Sequence, residues 1–217
     1  MSNRLKQKPV NVLRVVVYGP ECTGKTTLAG QLAYHYQTVW VPEYARDYLQ
    51  EKWNDHRQVC EHEDLLPIAY GQIKLENKLA VKADKVLICD TDLLETKVYA
   101  EKYYDGKVDP LLETAAVQNQ YDLYLVTYID VPWEFDSLRE WPNQREDMFR
   151  AFENALKENN RRYVILKGDR QTRFKQAVTE IDKILEHRKK LHSYSESENI
   201  VAARRKSFFS KFFNFGN

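Results

Sequence analysis

The 217-residue chain has few glycines and cysteines, seven Gly and three Cys. Cys22, Cys60 and Cys89 are odd in number and show neither a CxxC pair nor metal-ligand spacing, which argues against a disulfide scaffold and a zinc site and leaves reduced thiols. No apolar run approaches the roughly 20 residues that span a bilayer. The opening MSNRLKQKPVN lacks the apolar stretch of a secretory signal, so a cytoplasmic protein is expected. A dominant charge is missing too. Lys+Arg 33 against Asp+Glu 32 leaves a formal charge of +1, with no overall field to gather nucleic acid, and no nucleic-acid partner is expected. The length suits one domain plus a tail rather than two domains.

Charge and aromatics are unevenly placed. Residues 186–217 hold seven Lys/Arg and three Glu, or +4, leaving 26 basic against 29 acidic residues, or −3, before them. Five of the nine Phe also fall there, at Phe208, Phe209, Phe212, Phe213 and Phe215. The expected organisation is an extension over 1–11, a domain over 12–190 and a basic, Phe-rich tail over 191–217. Phe208, Phe209, Phe212 and Phe213 would share one helical face. That face suits docking on the body, pairing with a second subunit in a homo-oligomer, or weak membrane contact; a disordered tail is the alternative.

LRVVVY at Leu13–Tyr18 is a β-branched run that ends in GPECTG, and Lys25–Tyr36 carries Leu28, Leu32 and Ala33 at helical spacing. Further strands are expected at Thr38–Val41, Lys85–Cys89, Tyr121–Ile129 and Tyr163–Leu166, with helices over 44–53, 62–82 and 93–104 and a turn at Asp105-Gly106. Strands separated by enough chain for crossover helices predict an α/β fold, a parallel five-stranded sheet sandwiched by helices of the P-loop NTPase type.

The strongest signal is Gly19-Pro20-Glu21-Cys22-Thr23-Gly24-Lys25-Thr26, a full match to G-x-x-x-x-G-K-[ST] between a predicted strand and a predicted helix. Glycine permits the tight backbone whose N–H groups face a phosphate, and the helix N-terminus adds partial positive charge. Gly19 to Thr27 is the expected nucleotide site, with ATP as cofactor. Lys25 would reach the β- and γ-phosphates, and the Thr26 hydroxyl suits Mg²⁺. Asp90, directly after KVLIC, is expected at the carboxyl end of a strand, as a Walker B-like carboxylate that holds the metal through water or orients the attacking hydroxyl. A helix-capping role suits Thr91 or Asp92 better. Glu43 follows the second strand and has two open roles, a base for an acceptor alcohol or a surface partner of Arg46. Residues 131–150 combine two Trp with Arg139, Arg145 and Arg150 around Pro142. Either they form a lid that brings Arg139 and Arg145 to the transferring phosphoryl, or a solvated helix–turn–helix whose tryptophans join the core.

Together GPECTGKTTL, PEYARDYL, the Gly71-Gln72 pair, VLICDTDLLETKVYAEKYYDG and YDLYLVTYIDVPWEFDSLR resemble the nicotinamide riboside kinase domain of NadR-type NAD biosynthesis proteins, a P-loop kinase family. The likeness covers about residues 12–186. It implies MgATP-dependent phosphorylation of the 5′-hydroxyl of N-ribosylnicotinamide, a small-molecule riboside, to nicotinamide mononucleotide. It also implies that Glu43, Tyr44 and Arg46 lie beside the riboside, that Asp90 and Asp92 form the D-T-D element, and that Trp133 and Asp136 receive the cationic pyridinium. Ser137 departs from the family, which has Gly there. No adenylyltransferase motif is seen, and about ten residues precede the first strand, so a stand-alone kinase is expected. The alternatives are another P-loop nucleoside or nucleotide kinase, or an ATP-binding regulator that phosphorylates nothing.

Overall fold

All six residues of Leu13–Tyr18 (β1) are buried, as befits a strand with elements packed on both faces. The computed structural model describes residues 3–131 and 145–213, with side chains described over 4–131 and 145–191. Around β1 stand Trp40–Val41 (β2), Val86–Asp90 (β3), Leu123–Thr127 (β4) and Tyr163–Leu166 (β5). They form one sheet in the order β2-β3-β1-β4-β5, and every pairing is parallel. Parallel neighbours need crossovers, which the helices supply: Lys25–His35 (α1), Tyr44–His56 (α2), Leu65–Ala80 (α3), Leu93–Tyr103 (α4), Pro110–Gln118 (α5) and Arg145–Glu158 (α6), with Arg170–Phe213 (α7) following β5.

Alternation along β1 divides the core. Val16 and Tyr18 join one cluster with Leu87, Cys89, Tyr124 and Val126 and with side chains of α3 to α6, among them Ile73, Leu94, Leu112 and Phe152. Helix α1, with Leu28 and Leu32 buried, packs against β1 and β3 from the other face. Each large apolar side chain withdrawn from water stabilises the fold by roughly 1.5–3 kcal/mol before chain entropy is charged against it. Arg14, a cation within the core strand, lies 3.2 Å from Glu76 of α3, whose other oxygen accepts from the Tyr121 hydroxyl at 2.7 Å.

The predicted fold class is observed, with shifted boundaries. β2 is two residues long at the sheet edge. The helix expected over 62–82 begins as a 3-10 turn at His62–Asp64 before α3, and α5 was not anticipated as a separate helix. It has its own signals, an Asp109 side chain that accepts from Leu111 N–H and Pro110 at its start. The chain divides into two compact units, Met1–Val178 and Thr179–Asn217. In the second, α7 continues to Phe213, and the side chains of the Phe-rich tail lie outside the described residues. Among the described residues no helix is long and apolar enough to cross a membrane.

Candidate nucleotide and acceptor site

Register brings the site together at the carboxyl ends of the central strands. Val17 of β1 pairs with Asp90 of β3 and Leu125 of β4, so the loop after β1 emerges between the ends of its two neighbours. Gly19 has φ +133°, and a Cβ there would lie 2.9 Å from both the carbonyl oxygen and Oγ1 of Thr127. Only glycine fits so close to β4. Cys22 and Gly24 also take left-handed conformations, φ 54° and 84°. The Thr23 hydroxyl donates to Pro20 O at 2.7 Å and meets Thr127 Oγ1 at 2.6 Å, which ties the loop to β4. Lys25 is buried, and its ammonium donates to Gly19 O at 2.7 Å and Pro20 O at 3.1 Å. Thr26 and Thr27 follow in the exposed first turn of α1.

Asp90 ends β3, fully buried beside the strand that feeds the loop. Thr91, next to it, takes φ +70° while its N–H donates to Val17 O at 3.1 Å. That conformation is strained for a β-branched residue, by an amount on the order of 1–3 kcal/mol, and such strain persists where the surroundings fix it. Thr26 and Asp90 together offer a hydroxyl and a carboxylate, hard oxygen donors of the kind Mg²⁺ takes while keeping most of its waters, so the donor set fits that ion. Among the described residues no cluster of three or more His, Cys, Asp or Glu could hold a metal without other ligands.

A cavity of about 330 Å³ adjoins the loop, within the usual range for small-molecule sites. Glu21, Glu43, Gln72, Glu95, Tyr99 and Tyr103 supply much of its polar and aromatic lining. Three lining residues are carboxylates, and no Lys, Arg or His is among the described residues that line it. Glu43 is the N-cap residue of α2, yet its side chain makes no capping bond. The turn that carries it is pinned from α3: Gln72 Oε1 accepts from Tyr44 N–H at 2.8 Å, and Gln72 Nε2 donates to Pro42 O at 3.4 Å. Gly71 makes room for this, since a Cβ there would fall 1.9 Å from Tyr44 Cε1. On α4, Glu95, Tyr99 and Tyr103 are spaced four apart on one face, and the two tyrosine rings stack at 5.7 Å with an 11° interplanar angle. Burial, with Glu21 adding to it, pushes the Tyr103 phenol up to about 12, so it stays neutral.

The structure separates residues that the sequence grouped. Glu43 lines the cavity, whereas Tyr44 lies with its ring toward Gly71, and neither it nor Arg46 is among the lining residues. Glu21, expected at the nucleotide, also borders this cavity. Asp92, expected at the substrate and also suited to capping, is buried and caps α4: its oxygens accept from Glu95 N–H at 3.1 Å and from the Tyr124 hydroxyl at 2.7 Å. Burial raises its carboxyl to about 6 despite those bonds. Arg145 begins α6, and its Nη1 donates to Val131 O at 3.0 Å. Trp133, Asp136 and Arg139 lie outside the described residues.

A family profile described as an AAA domain matches residues 14–173. The chain belongs to this AAA-domain family. Within the family it is 31% identical over 176 residues to the trifunctional NAD biosynthesis/regulator protein NadR of Salmonella typhimurium, covering 79% of this chain and 42% of that protein. It is 29% identical over 174 residues to NadR of Escherichia coli, with the same two coverages of 79% and 42%. The chain therefore spans less than half the length of these curated relatives. Among solved structures it is similar to NadR protein in complex with NR, with a TM-score of 0.67 and 27% identity over 81% of this chain and 51% of that one. A deoxyadenosine kinase from M. mycoides, with a TM-score of 0.60 and 13% identity over 79% of this chain and 100% of that one, shares the P-loop kinase fold.

Two site residues of this AAA-domain protein escaped the sequence reasoning. Glu95 is three residues past its cap in TDLLE and begins the Glu95/Tyr99/Tyr103 stripe, a signal visible in the spacing but silent about which face meets the loop. Arg173 is 4% exposed and gathers the loop from behind. Its Nε donates to Gly168 O at 2.9 Å, Nη1 to Thr23 O at 2.7 Å and Nη2 to Tyr128 O at 2.8 Å, and it pairs with Asp130.

Proposed function

We propose that the protein transfers the γ-phosphoryl group of ATP to the 5′-hydroxyl of N-ribosylnicotinamide, giving nicotinamide mononucleotide in NAD salvage. The observation that carries this is the acidic cavity beside the loop, lined by Glu21, Glu43 and Glu95 with no Lys, Arg or His among its described lining residues. A nucleoside monophosphate brings about two negative charges and is recognised by guanidinium forks, so such a cavity repels it. A riboside with a cationic pyridinium suits it, since carboxylates balance the charge and tyrosine faces attract a flat cation. Similarity to a NadR structure with bound NR supports the same substrate.

In this account the amides of Gly19 to Thr27, the N-terminus of α1 and Lys25 hold the triphosphate, and Glu43 accepts the proton of the attacking hydroxyl. Thr26 and Asp90 would hold Mg²⁺, which would supply charge neutralisation for the phosphates. Arg145, at the start of α6, is a further candidate for the transferring phosphoryl; Arg139, proposed for the same role, and Trp133 and Asp136, proposed from the family resemblance for the pyridinium, lie outside the described residues. The test is incubation of purified protein with MgATP and the riboside, followed by chromatography. Mononucleotide and ADP should appear one for one. ADP without mononucleotide, or turnover of deoxynucleosides in place of the riboside, would assign the site to another acceptor.

A further inference from the structure

Glu95, 2% exposed, reaches back from the first turn of α4 to the phosphate loop. Its Oε1 lies 3.2 Å from Lys25 Nζ, and its Oε2 accepts from Gly19 N–H at 3.3 Å. An ammonium and a loop amide are the kinds of donor with which such a loop grips nucleotide phosphates. A carboxylate and a phosphoryl oxygen compete for them, being acceptors of the same sign of charge. The Lys25 ammonium donates to Gly19 O and Pro20 O and lies at ion-pair distance from Glu95 Oε1.

We propose that Glu95 is the phosphate loop's internal counter-anion, and that nucleotide phosphate binds by displacing its carboxylate from Lys25 and Gly19. The ionisable groups around it make the displacement directional. Lys25 approaches from α1, Tyr18 from β1, Glu43 from the N-cap of α2, and Asp92 and Tyr99 from its own helix region. Lys25 is the cation of that set. Burial and, after it, the Glu43 and Asp92 carboxylates disfavour the charge on Glu95, and the Lys25 ammonium 3.2 Å away opposes them. A carboxylate parted from Lys25 either takes up a proton or turns into the acceptor cavity that it already lines. Nucleotide binding works against both, so Glu95 weakens it.

The sign of the effect separates this role from a structural one. Isothermal titration of the full chain would measure a nonhydrolysable ATP analogue, and inorganic tripolyphosphate as a probe of the loop alone. Glu95→Gln and Glu95→Ala are expected to bind both probes roughly tenfold more tightly than the unaltered protein. Equal or weaker binding in folded variants would overturn the proposal, because loss of a merely structural contact loosens the loop. A crystal structure of the unaltered protein with tripolyphosphate needs no variant: Glu95 should stand more than 4 Å from Lys25 Nζ. Persistence of the 3.2 Å pair beside bound phosphate would also overturn it. The inference rests on nucleotide binding at the loop and not on the acceptor, so failure of either probe to bind removes it whatever the riboside assay returns.

Discussion

Arg173→Ala removes the clamp behind the phosphate loop. The guanidinium is almost fully buried and makes four hydrogen bonds, to Gly168 O, Thr23 O, Tyr128 O and Asp130. Charge-assisted bonds contribute about 1.5–3 kcal/mol each in isolation but do not add, and breaking one partner of a buried pair costs about 3–5 kcal/mol. The Asp130 side chain is 32% exposed, so water takes over part of its charge, and the low end, about 3 kcal/mol, is expected. For a domain of this size that lowers Tm by about 6–12 °C. Arg173→Lys keeps charge near Asp130 without the fork to Thr23 and is expected to lose about half as much. Because Thr23 O is one of the four acceptors, KM for ATP should rise in both variants while KM for the acceptor stays put. Differential scanning fluorimetry and initial rates would check this, and a shift under 2 °C with unchanged KM for ATP would refute the clamp. Burial alone would raise the Asp130 carboxyl, but Gly168 N–H and Arg173 outweigh it and hold it below the usual range. Its contribution to stability is therefore present above about pH 4 and lost as pH falls through its lowered value.

Other predictions follow from single contacts. Gly71→Ala places a methyl within 1.9 Å of the Tyr44 ring and must shift the turn that carries Glu43, so kcat/KM for the acceptor should fall at least tenfold while calorimetry finds nucleotide affinity unchanged. Glu43→Gln should lower kcat by about 100-fold, the usual scale for a lost general base, with the Kd of an ATP analogue untouched; an equal loss of both would make Glu43 structural. Asp92 has its carboxyl raised to about 6, so the stability it contributes is full below about pH 4 and is lost as pH rises through 6. Asp92→Asn keeps a capping side chain, and melting curves should show it more stable than the unaltered protein at pH 8 and no more stable at pH 4.5.

The elements with unambiguous local chemistry were legible in the sequence. β1, its glycine loop and α1 follow from LRVVVY, the φ demands of Gly19 and Gly24, and the spacing of Leu28 and Leu32. β5 falls at its expected residues because YVIL is bounded by Arg162 and Lys167. β2 shrank because only Trp40 and Val41 find partners on β3 at the sheet edge. Periodicity named α4 but could not tell that its Glu95–Tyr103 face lines the cavity, since that depends on where α2 and α3 stand. Tyr44 looked like a substrate residue beside Glu43; its ring packs at Gly71, 27 residues on in sequence, and is not among the cavity's lining residues.

The central claim is that this cavity takes a riboside and repels its phosphorylated counterpart. Its most direct test compares kcat/KM for nicotinamide riboside with kcat/KM for nicotinamide mononucleotide and for nucleoside monophosphates, all with MgATP. The riboside is expected to lead every phosphorylated acceptor by a factor on the order of 100 or more. Equal or faster phosphorylation of a monophosphate would contradict it.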